Sequence, residues 1–412
     1  GMGDIPGIIS RLDYLQELGI TGIYMTPIFL SSSNHKYNTF SYDVIDPDFG
    51  TEEDLIALVD KAHALGIRVM LDAVFNHSGT EFPQWQDVVE KGPESPYWDW
   101  FFVQQWPLPK LIKGSKDKFF SFSFTGLMPK LNTNNPEVAR FCLERCRHWV
   151  ENWHIDGIRF DVGNEVSHTF LQALNTGLKA INPELFLLGE IWHDSLPWLR
   201  GREYDSTMNY PFLECIHNFW LDKQDSRELK YGLNRVYSMY PEQVNQVLFN
   251  FLDTHDTMRV LNRCGGDKDA FFQQLTLLMT LPGSACIYYG TEIAMEGGDD
   301  PDCRRPMPWH RIENGEFTED FRQVAELIRL RKAYPQLRRG HILWRHFIEV
   351  PRLVCYGRRI DEDYVIAVYL NADSRPVSVL SENVLFSRGL KGGFLHSGGV
   401  AIVRQEIWAW KK

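Results

Sequence analysis

Three carboxylates stand where apolar segments of the sequence end, the place where a buried strand presents a functional side chain. Asp161 closes the segment Gly157-Ile-Arg-Phe-Asp161, two residues after Arg159. Side chains alternate along a strand, so both groups are expected on one face. A guanidinium beside a carboxylate lowers the carboxyl pKa and keeps the group ionised, as a nucleophile requires. Taken alone, the same pair could be a structural ion pair.

The second carboxylate, Glu190, follows the apolar segment Leu185–Gly189 and precedes Trp192 by two residues. An apolar setting raises the pKa of a carboxyl group and keeps it protonated, which is the condition for a general acid. A glutamate in this position could equally cap the following helix. The third carboxylate, Asp256, follows another apolar segment and stands directly after His255.

A second histidine ends Asp72-Ala-Val-Phe-Asn-His77. One such histidine is more often structural, but two beside Asp or Asn at strand ends favour hydrogen bonds to sugar hydroxyls. Retaining glycoside hydrolysis needs a nucleophile and an acid about 5–5.5 Å apart, plus a group that positions the sugar. The sequence has no Gly-x-Ser-x-Gly elbow, no phosphate-binding glycine loop and no zinc-ligand spacing, so the main competing enzyme classes are excluded.

The segments that carry these residues belong to a repeat of short apolar strand, polar loop and amphipathic helix. Nearly continuous apolar runs indicate strands that are buried on both faces. The alternation predicts an α/β protein with a TIM-type (β/α)8 barrel, whose active site lies at the C-terminal strand ends. Seven strands are predicted, at Ile20–Ile28, Ile67–Phe75, Gly157–Val162, Leu185–Trp192, Ser206–Phe212, Val247–Asp253 and Ala285–Tyr289.

Two stretches interrupt this repeat and divide the chain. Residues 1–77 and 131–338 are assigned to the catalytic barrel, 78–130 to an inserted domain, and 339–412 to a C-terminal antiparallel β-sandwich. The sandwich is predicted from strands at Tyr364–Leu370, Pro376–Leu380 and Val400–Trp410. The tryptophans of the insertion could stack on sugars or form a small satellite core, and they are Trp85, Trp98, Trp100 and Trp106.

The composition bears on partners and location. A net charge of −11 over 412 residues disfavours binding to a phosphate backbone, so no nucleic-acid partner is expected. The apolar runs are shorter than the roughly 20 residues of a membrane span, and no leader is visible. A cytoplasmic location is therefore expected, although Gly1-Met2 resembles a tag remnant and an upstream segment could be missing. The seven scattered cysteines are expected to be reduced thiols. Cys142 and Cys146, one helical turn apart, could share a metal but are expected to be buried core thiols.

Four of these motifs resemble, in order and spacing, the signature regions of the α-amylase family (glycoside hydrolase family 13). They begin at Asp72, Gly157, Glu190 and Leu252. The resemblance implies that Asp161 is the nucleophile, Glu190 the general acid/base and Asp256 the group that fixes substrate hydroxyls. It also implies substrate contacts from Tyr37, Asp72, His77, Arg159, Trp192 and His255.

Further segments are similar to the cyclomaltodextrinase, neopullulanase and maltogenic amylase subfamily. They are Met128-Pro-Lys-Leu-Asn132, Asn164-Glu165, and the stretch holding Asp300 and Arg304, which match family residues that grip the next glucose. The resemblance implies cleavage of α-1,4 bonds, with α-1,6 bonds as a second candidate, in cyclodextrins, pullulan or short maltooligosaccharides through a covalent intermediate. It implies no required cofactor, and it relates residues 78–130 to domain B and the C-terminal part to domain C.

The sequence departs from this family at its beginning. Family members have a first barrel strand, and usually an N-terminal β-domain, before the segment that matches Gly3-Asp4-Ile5. That part supplies much of the homodimer interface and a calcium site, so neither is expected to be complete and the oligomeric state stays open. A barrel closes only if each strand has two neighbours. Either another segment or a neighbouring chain is therefore expected to fill the slot, or the chain is a truncated form with a distorted barrel mouth and weak activity, and the second outcome is favoured. The alternatives are a transglycosylase and a truncated, weakly active or non-catalytic sugar-binding homologue.

Overall fold

The computed structural model describes residues 3–108, 118–361, 363–379 and 382–411. The segment 109–117 of the predicted insertion, Leu380 at the end of a predicted strand, and Gly1-Met2 lie outside the described residues. The described part consists of a parallel sheet covered by helices, an insertion after the second strand, and a C-terminal antiparallel sheet.

Within this part, seven short parallel strands form the centre of the barrel. They are β1 (Gly22–Tyr24), β2 (Arg68–Ala73), β3 (Gly157–Phe160), β4 (Phe186–Gly189), β5 (Ser206–Thr207), β6 (Phe249–Asn250) and β7 (Ser284–Ala285). The first five pair in chain order, β6 pairs with β7, and a bridge between Met208 and Phe249 links β5 to β6. The seven predicted strands therefore all occur, in the predicted parallel order.

Helices alternate with these strands and form the outer layer. They are α1 (Ile5–Ser10), α2 (Leu12–Leu18), α3 (Glu52–Ala64), α4 (Pro83–Lys91), α5 (Pro136–Asn152), α6 (His168–Ile181), α7 (Tyr210–Leu221), α8 (Ser226–Ser238), α9 (Glu242–Asn245), α10 (Val260–Arg263), α11 (Lys268–Thr280), α12 (Trp309–Glu313), α13 (Thr318–Ala333) and α14 (Pro335–Arg339). The α3 helix shows how the sequence defines such an element. Thr51 and Asp54 form a reciprocal capping box at its start, and its apolar face is buried.

Several strands are shorter than predicted. The strand predicted over Ser206–Phe212 ends at Thr207, because the side chain of Asn209 caps α7 by accepting a hydrogen bond from Phe212 N at 3.3 Å. Apolar residues after the cap therefore belong to a buried helix. A short apolar run does not distinguish a buried strand from a buried helix, and here the cap decides.

The barrel sheet has two open edges. Among the described residues, β1 pairs with β2 alone and β7 with β6 alone, and both edge strands are only half-buried, whereas β3 is fully buried. The helical layer is nevertheless continuous across this position. Tyr14 of α2 donates a hydrogen bond to Glu292 at 2.9 Å, and Lys332 of α13 donates to the Gly19 carbonyl at 3.2 Å. No described strand occupies the slot between β1 and β7. Of the two outcomes expected from the sequence, filling of the slot by another segment is therefore not seen among the described residues.

The insertion, which includes α4, packs against α5 and joins the main apolar core of the barrel. Trp85 is 3% exposed and contacts the rings of Phe101 and Phe119, and Trp100 is 5% exposed. Trp106 is more open, at 46%. Trp85 and Trp100 are therefore core residues, although they lie in the main core and not in a separate satellite core, and neither ring is available to stack on a sugar.

The C-terminal part is an antiparallel sheet of six strands in one connected network. They are β8 (His341–Arg345), β9 (Leu353–Arg359), β10 (Tyr364–Asn371), β11 (Val377–Ser378), β12 (Val384–Lys391) and β13 (Phe394–Glu406), followed by α15 (Ile407–Lys411). One face packs on α11 and α13, and the other buries a separate apolar cluster. The strand predicted over Val400–Trp410 is wrong after Glu406, where the chain turns into α15.

A buried arginine fixes this sheet to the barrel. Arg358 of β9 is fully buried and donates hydrogen bonds to the carbonyls of Leu337 at 2.9 Å and Gly340 at 2.7 Å, and it also contacts the Thr280 carbonyl. Carbonyls at helix ends lack intrahelical donors, so Arg358 satisfies groups that burial would otherwise leave unpaired.

All seven cysteines are free thiols, as predicted, and Cys142 and Cys146 lie fully buried on α5. Within the described residues, no three His, Cys, Asp or Glu side chains converge as metal ligands would. No helix in the same part of the chain combines the length and apolar character that crossing a membrane requires.

We predict unequal protection of the barrel strands from hydrogen exchange. Edge strands expose backbone amides and open at low energetic cost, so peptides covering β1 and β7 should exchange at least about tenfold faster than peptides covering β3 and β4. Hydrogen–deuterium exchange with mass spectrometry would measure this. Equal protection of the four strands would show that the slot between β1 and β7 is occupied in solution.

Candidate active site

One guanidinium joins the candidate catalytic groups at the C-terminal ends of β2, β3 and β4. Arg159 is fully buried, and its Nη1 donates to Asp72 Oδ2 and to Asp161 Oδ1, each at 2.8 Å. Its Nη2 lies 2.9 Å from Glu190 Oε2. Arg159 and Asp161 therefore share a face, as the strand period predicted, and the pair extends into a cluster of three carboxylates.

The parallel ladder positions these groups through the backbone. Asp161 N donates to the carbonyl of Ala73 at 3.1 Å, and Glu190 N donates to that of Phe160 at 3.0 Å. Asp161 and Glu190 thus each continue a sheet hydrogen bond from the neighbouring strand. Because side chains at corresponding strand ends point to the same edge, residues far apart in sequence meet here.

The two pKa expectations for this pair are wrong. Burial raises the pKa of Asp161 well above its usual range, and Glu190 adds to this although Arg159 opposes it. Burial also acts to raise the pKa of Glu190, but Arg159 and the N–H groups of Val162 and Trp192 outweigh it, so this pKa is lowered. Arg159 divides its charge among three carboxylates, and the Trp192 indole donates to Glu190 at 3.1 Å instead of forming an apolar wall.

Asp72 anchors the cluster from the opposite side. Its Oδ2 accepts hydrogen bonds from the hydroxyls of Tyr24 at 2.9 Å and Tyr37 at 3.0 Å. Tyr37 also stacks on His255, with ring centroids 5.5 Å apart and planes 9° apart. Tyr37 is therefore held at both its hydroxyl and its ring face, which fixes it as one wall of the site.

His77 is held on three sides at the end of β2. Its Nε2 lies 2.9 Å from the Tyr37 carbonyl, Asn76 contacts its Nδ1 at 3.2 Å, and its ring stacks on Phe122 at 4.8 Å. Burial lowers its pKa to about 3, so the imidazole is neutral near neutral pH. Since a carbonyl can only accept, Nε2 carries the proton.

The segment Met128–Asn132 brings the insertion back to this place. Leu131 N donates to the carbonyl of Asn76 at 3.0 Å, and Lys130 Nζ contacts the Asn76 amide oxygen and lies 3.3 Å from Glu165 Oε2. Glu165 N in turn donates to the Val162 carbonyl at 3.0 Å. The subfamily motif and Asn164-Glu165 therefore meet beside the cluster.

Asp256 faces the cluster from the loop after β6. Its carboxylate lies 3.1 Å from His255 Nε2 and 3.3 Å from Arg304 Nη2, and Arg304 also pairs with Asp300 at 3.0 Å. Burial, followed by the charge of Glu190, raises the pKa of Asp256 to about 6, although Arg159 and Arg304 oppose this. Burial and the same two arginines lower the pKa of His255 to about 3, so this imidazole is neutral.

Trp192 forms an open platform beside Glu190. It is 50% exposed and stacks on Tyr210, with ring centroids 3.9 Å and planes 11° apart. An exposed indole supported from below suits the apolar face of a sugar ring.

The structure places all eleven residues singled out from the sequence around one cleft, and it adds three others. Tyr24 bonds Asp72, Phe122 lies on His77, and Tyr210 supports Trp192. Tyr24 could have been found, because it is a polar residue within the predicted strand Ile20–Ile28, as Asp72 is within Ile67–Phe75. Phe122 lies within the insertion and Tyr210 in a segment predicted as strand, so no local signal identified them.

Comparisons with known proteins agree with this geometry. Residues 1–351 match the family described as alpha amylase, catalytic domain. The maltogenic α-amylase of Bacillus acidopullulyticus is 49% identical over 336 residues, which cover 81% of this chain and 56% of that protein. The cyclomaltodextrinase of Geobacillus thermopakistaniensis is 47% identical over 341 residues, covering 82% and 57%. The structure of the cyclic alpha-maltosyl-(1→6)-maltose hydrolase from Arthrobacter globiformis matches with a TM-score of 0.87 at 32% identity, covering 98% and 89%.

The chain belongs to the α-amylase family, which confirms the resemblance seen in the sequence. It spans little more than half the length of the two curated relatives, at 56% and 57%. The predicted fold class is confirmed as well, with a parallel barrel-type sheet followed by an antiparallel C-terminal sheet.

The raised pKa of Asp256 predicts a pH-dependent stability difference. Its pKa is about 6 in the folded protein and about 3.9 when unfolded, so its deprotonation destabilises the fold as the pH rises through this interval. Replacing Asp256→Asn removes this cost. The variant should gain Tm over the wild type at about pH 7.5 and gain little at about pH 4.5, as measured by calorimetry. A Tm difference that does not change with pH would contradict the assignment.

Proposed function

We propose that this chain hydrolyses α-1,4-glucosidic bonds of cyclic or short α-glucans, with retention of anomeric configuration and through a covalent glycosyl-enzyme intermediate. The observation that carries the proposal is the Arg159 guanidinium, which contacts Asp161 at 2.8 Å and Glu190 at 2.9 Å. Two carboxyl groups on one guanidinium are compatible with the separation of about 5–5.5 Å that retaining enzymes need. Membership of the α-amylase family supports the same reaction.

In this reaction Asp161 attacks the anomeric carbon while Glu190 gives its proton to the departing glycosidic oxygen. Glu190 then takes a proton from water, whose oxygen replaces Asp161 on the anomeric carbon. Asp256 accepts hydrogen bonds from hydroxyls of the same glucose, and the neutral His255 supplies a further polar contact. His77 has both ring nitrogens engaged within the protein and supports Tyr37 instead of reaching the sugar. Tyr37 offers its ring to the sugar face.

The reaction requires the proton of the carboxyl pair on Glu190, whereas the ligand-free pKa directions favour Asp161. A substrate can reverse this distribution. Positive charge that develops at the anomeric carbon stabilises the carboxylate of Asp161. A glycosidic oxygen beside Glu190 accepts a hydrogen bond from the protonated carboxyl, which stabilises the acid form of this group.

Cyclic and short glucans are favoured because the insertion brings Phe122 onto His77 at the edge of the site, and the exposed Trp192 lies beside the proposed acid Glu190, where it can support a leaving group. Two of the relatives are named for maltogenic and cyclodextrin-degrading activities, and one structural neighbour for hydrolysis of a cyclic maltosyl-(1→6)-maltose. We therefore include α-1,6 bonds as a second linkage. A sugar on the Trp192 platform could also replace water, so transglycosylation is a second candidate reaction, recognised by longer products at high maltose.

Removing either carboxylate of the pair should abolish turnover. Asp161→Asn and Glu190→Gln should each lower kcat on maltotriose at least about a thousandfold while sugar binding largely remains, because both groups act in the transition state. Steady-state kinetics and calorimetric binding would measure the two effects.

Glu203→Gln is the matched control, since Glu203 is a buried carboxylate outside the cleft that pairs with His168 at 2.8 Å. It should lower Tm but keep kcat. If either site variant keeps more than a few per cent of wild-type activity, the role assigned to that residue is wrong. An inverted product anomer in NMR would rule out the retaining mechanism.

The proposed cleft also predicts a substrate order. The protein should cleave β-cyclodextrin faster than soluble starch at equal glucose content, because a bent ring fits a narrow cleft better than a long linear chain. Reducing-sugar release from each substrate measures this. Faster cleavage of starch would argue against the cyclodextrin-degrading assignment, while leaving α-glucan hydrolysis intact.

A further inference from the structure

Two separate loops supply one side of the cleft. The loop after β6 holds His255 and Asp256, and the segment 297–304 holds Asp300 and Arg304. Direct contacts join them, because Arg304 Nε donates to the His255 carbonyl at 2.8 Å and Cys303 Sγ to the same carbonyl at 3.2 Å. The relative position of these loops therefore sets the distance between Arg304 and Asp256.

Arg259 packs against both loops, and its side chain donates to backbone carbonyls and not to the candidate sugar-binding side chains. It is fully buried, its backbone N donates to the Gly297 carbonyl at 3.1 Å, and its Nε donates to the Cys303 carbonyl at 2.9 Å. Its Nη1 donates to the carbonyl of Tyr289, which follows β7, at 2.6 Å. One side chain thus joins the β6 loop, the 297–304 segment and the end of β7.

The surrounding backbone is shaped to admit this guanidinium. A Cβ added at Gly290 would lie 3.0 Å from Arg259 Nη1, and one at Gly297 would lie 3.1 Å from Arg259 Cδ and 2.9 Å from Cys303 Cα. Gly290 has a φ of 86°, which also favours glycine. The Tyr288 ring covers the guanidinium, whose central carbon is 4.4 Å from the ring centroid. The space therefore accepts the planar guanidinium of Arg259 only because Gly290 and Gly297 carry no side chains.

A second clamp, the side chain of Asp253, joins the start of the β6 loop to its end and to the segment after β7. Asp253 Oδ2 accepts from Val260 N at 3.0 Å and from Thr291 Oγ1 at 3.0 Å. Residues 254–258 are thus held between the Asp253 clamp and Arg259. The loop has little freedom as long as both clamps are intact.

We propose that Arg259 is a positioning residue of the active site, which sets the geometry of Asp256 and Arg304 by tying their two loops to the end of β7. The inference rests on the proposed function for its kinetic consequences, although the contacts themselves do not. Arg259 touches no substrate and acts through Arg304. Lysine cannot replace it, because one ammonium cannot donate along both directions that Nε and Nη1 serve.

A double-mutant cycle of Arg259→Lys and Arg304→Ala tests this. Arg259→Lys should lower kcat/KM for maltotriose by about tenfold in the wild type, but by less than about threefold when Arg304 is already absent. Because Arg304 lowers the pKa of Asp256, either single change should also move the acid limb of the pH profile upward. Additive losses or an unmoved acid limb would overturn the proposal.

Arg358→Lys is the matched control, since Arg358 is equally buried and also donates to backbone carbonyls. It should lower Tm without changing kcat/KM or the acid limb. If Arg259→Lys behaves in the same way, its role is only structural and the proposal fails. If Arg259→Lys does not fold, Gly297→Ala is the second variant, because its Cβ would displace Arg259 from the 297–304 segment. It must show the same non-additivity with Arg304→Ala.

The cycle separates this inference from the proposed function. A wild type that binds maltotriose but cleaves no glucan would overturn the proposed function alone. Calorimetric affinities for maltotriose then replace kcat/KM in the cycle. The same non-additivity in binding would support the role of Arg259, and additive losses would overturn it.

Discussion

The ion cluster around Arg159 is the constraint on which the site depends. One fully buried guanidinium contacts Asp72, Asp161 and Glu190, three carboxylates from the ends of three neighbouring strands. Burying an unpaired charge is costly, so none of these groups can leave without stranding another. The cluster therefore couples the spacing of the proposed nucleophile and acid to the register of the sheet. Asp72 pairs in register with Arg159, and Asp161 and Glu190 directly follow the paired ends of β3 and β4.

The same cluster is short of positive charge, and this shapes its chemistry. Within the hydrogen-bonded set, three carboxylates face one guanidinium, so full ionisation is unfavourable and a proton is retained. In the ligand-free protein, burial favours this proton on Asp161, while the N–H groups of Val162 and Trp192 favour the carboxylate of Glu190. Under the proposed mechanism, a bound sugar must move this proton from Asp161 to Glu190. The ligand-free site thus holds its proton on a different carboxyl group from the one that the proposed reaction requires, and binding energy has to move the proton.

The sequence predicted the parts of this arrangement that follow from local patterns. Apolar runs that end in Asp or Glu identified β2, β3 and β4 together with Asp72, Asp161 and Glu190, because strand burial and strand-end chemistry are local properties. It failed where a contact decides between two local readings. Asn209 turns an apolar run into helix. Arg159, together with the N–H donors of Val162 and Trp192, reverses the expected pKa shift of Glu190. Phe122 reaches His77 only through the folding of a long insertion, and no pattern of its own residues encodes that contact.

The open edge of the barrel bears directly on the site. Asp72 is held by Arg159 from β3, by Tyr37 from a loop, and by Tyr24 from β1, which is an edge strand among the described residues. Local opening is easiest where strands pair on one side, so β1 is the least secure of these three supports. If β1 moves, Asp72 loses a donor and Arg159 has to compensate for a more negative carboxylate. Its hold on Asp161 and Glu190 then weakens. The positions of Asp161 and Glu190, the proposed catalytic pair, are therefore only as well fixed as β1, the edge strand that supports Asp72.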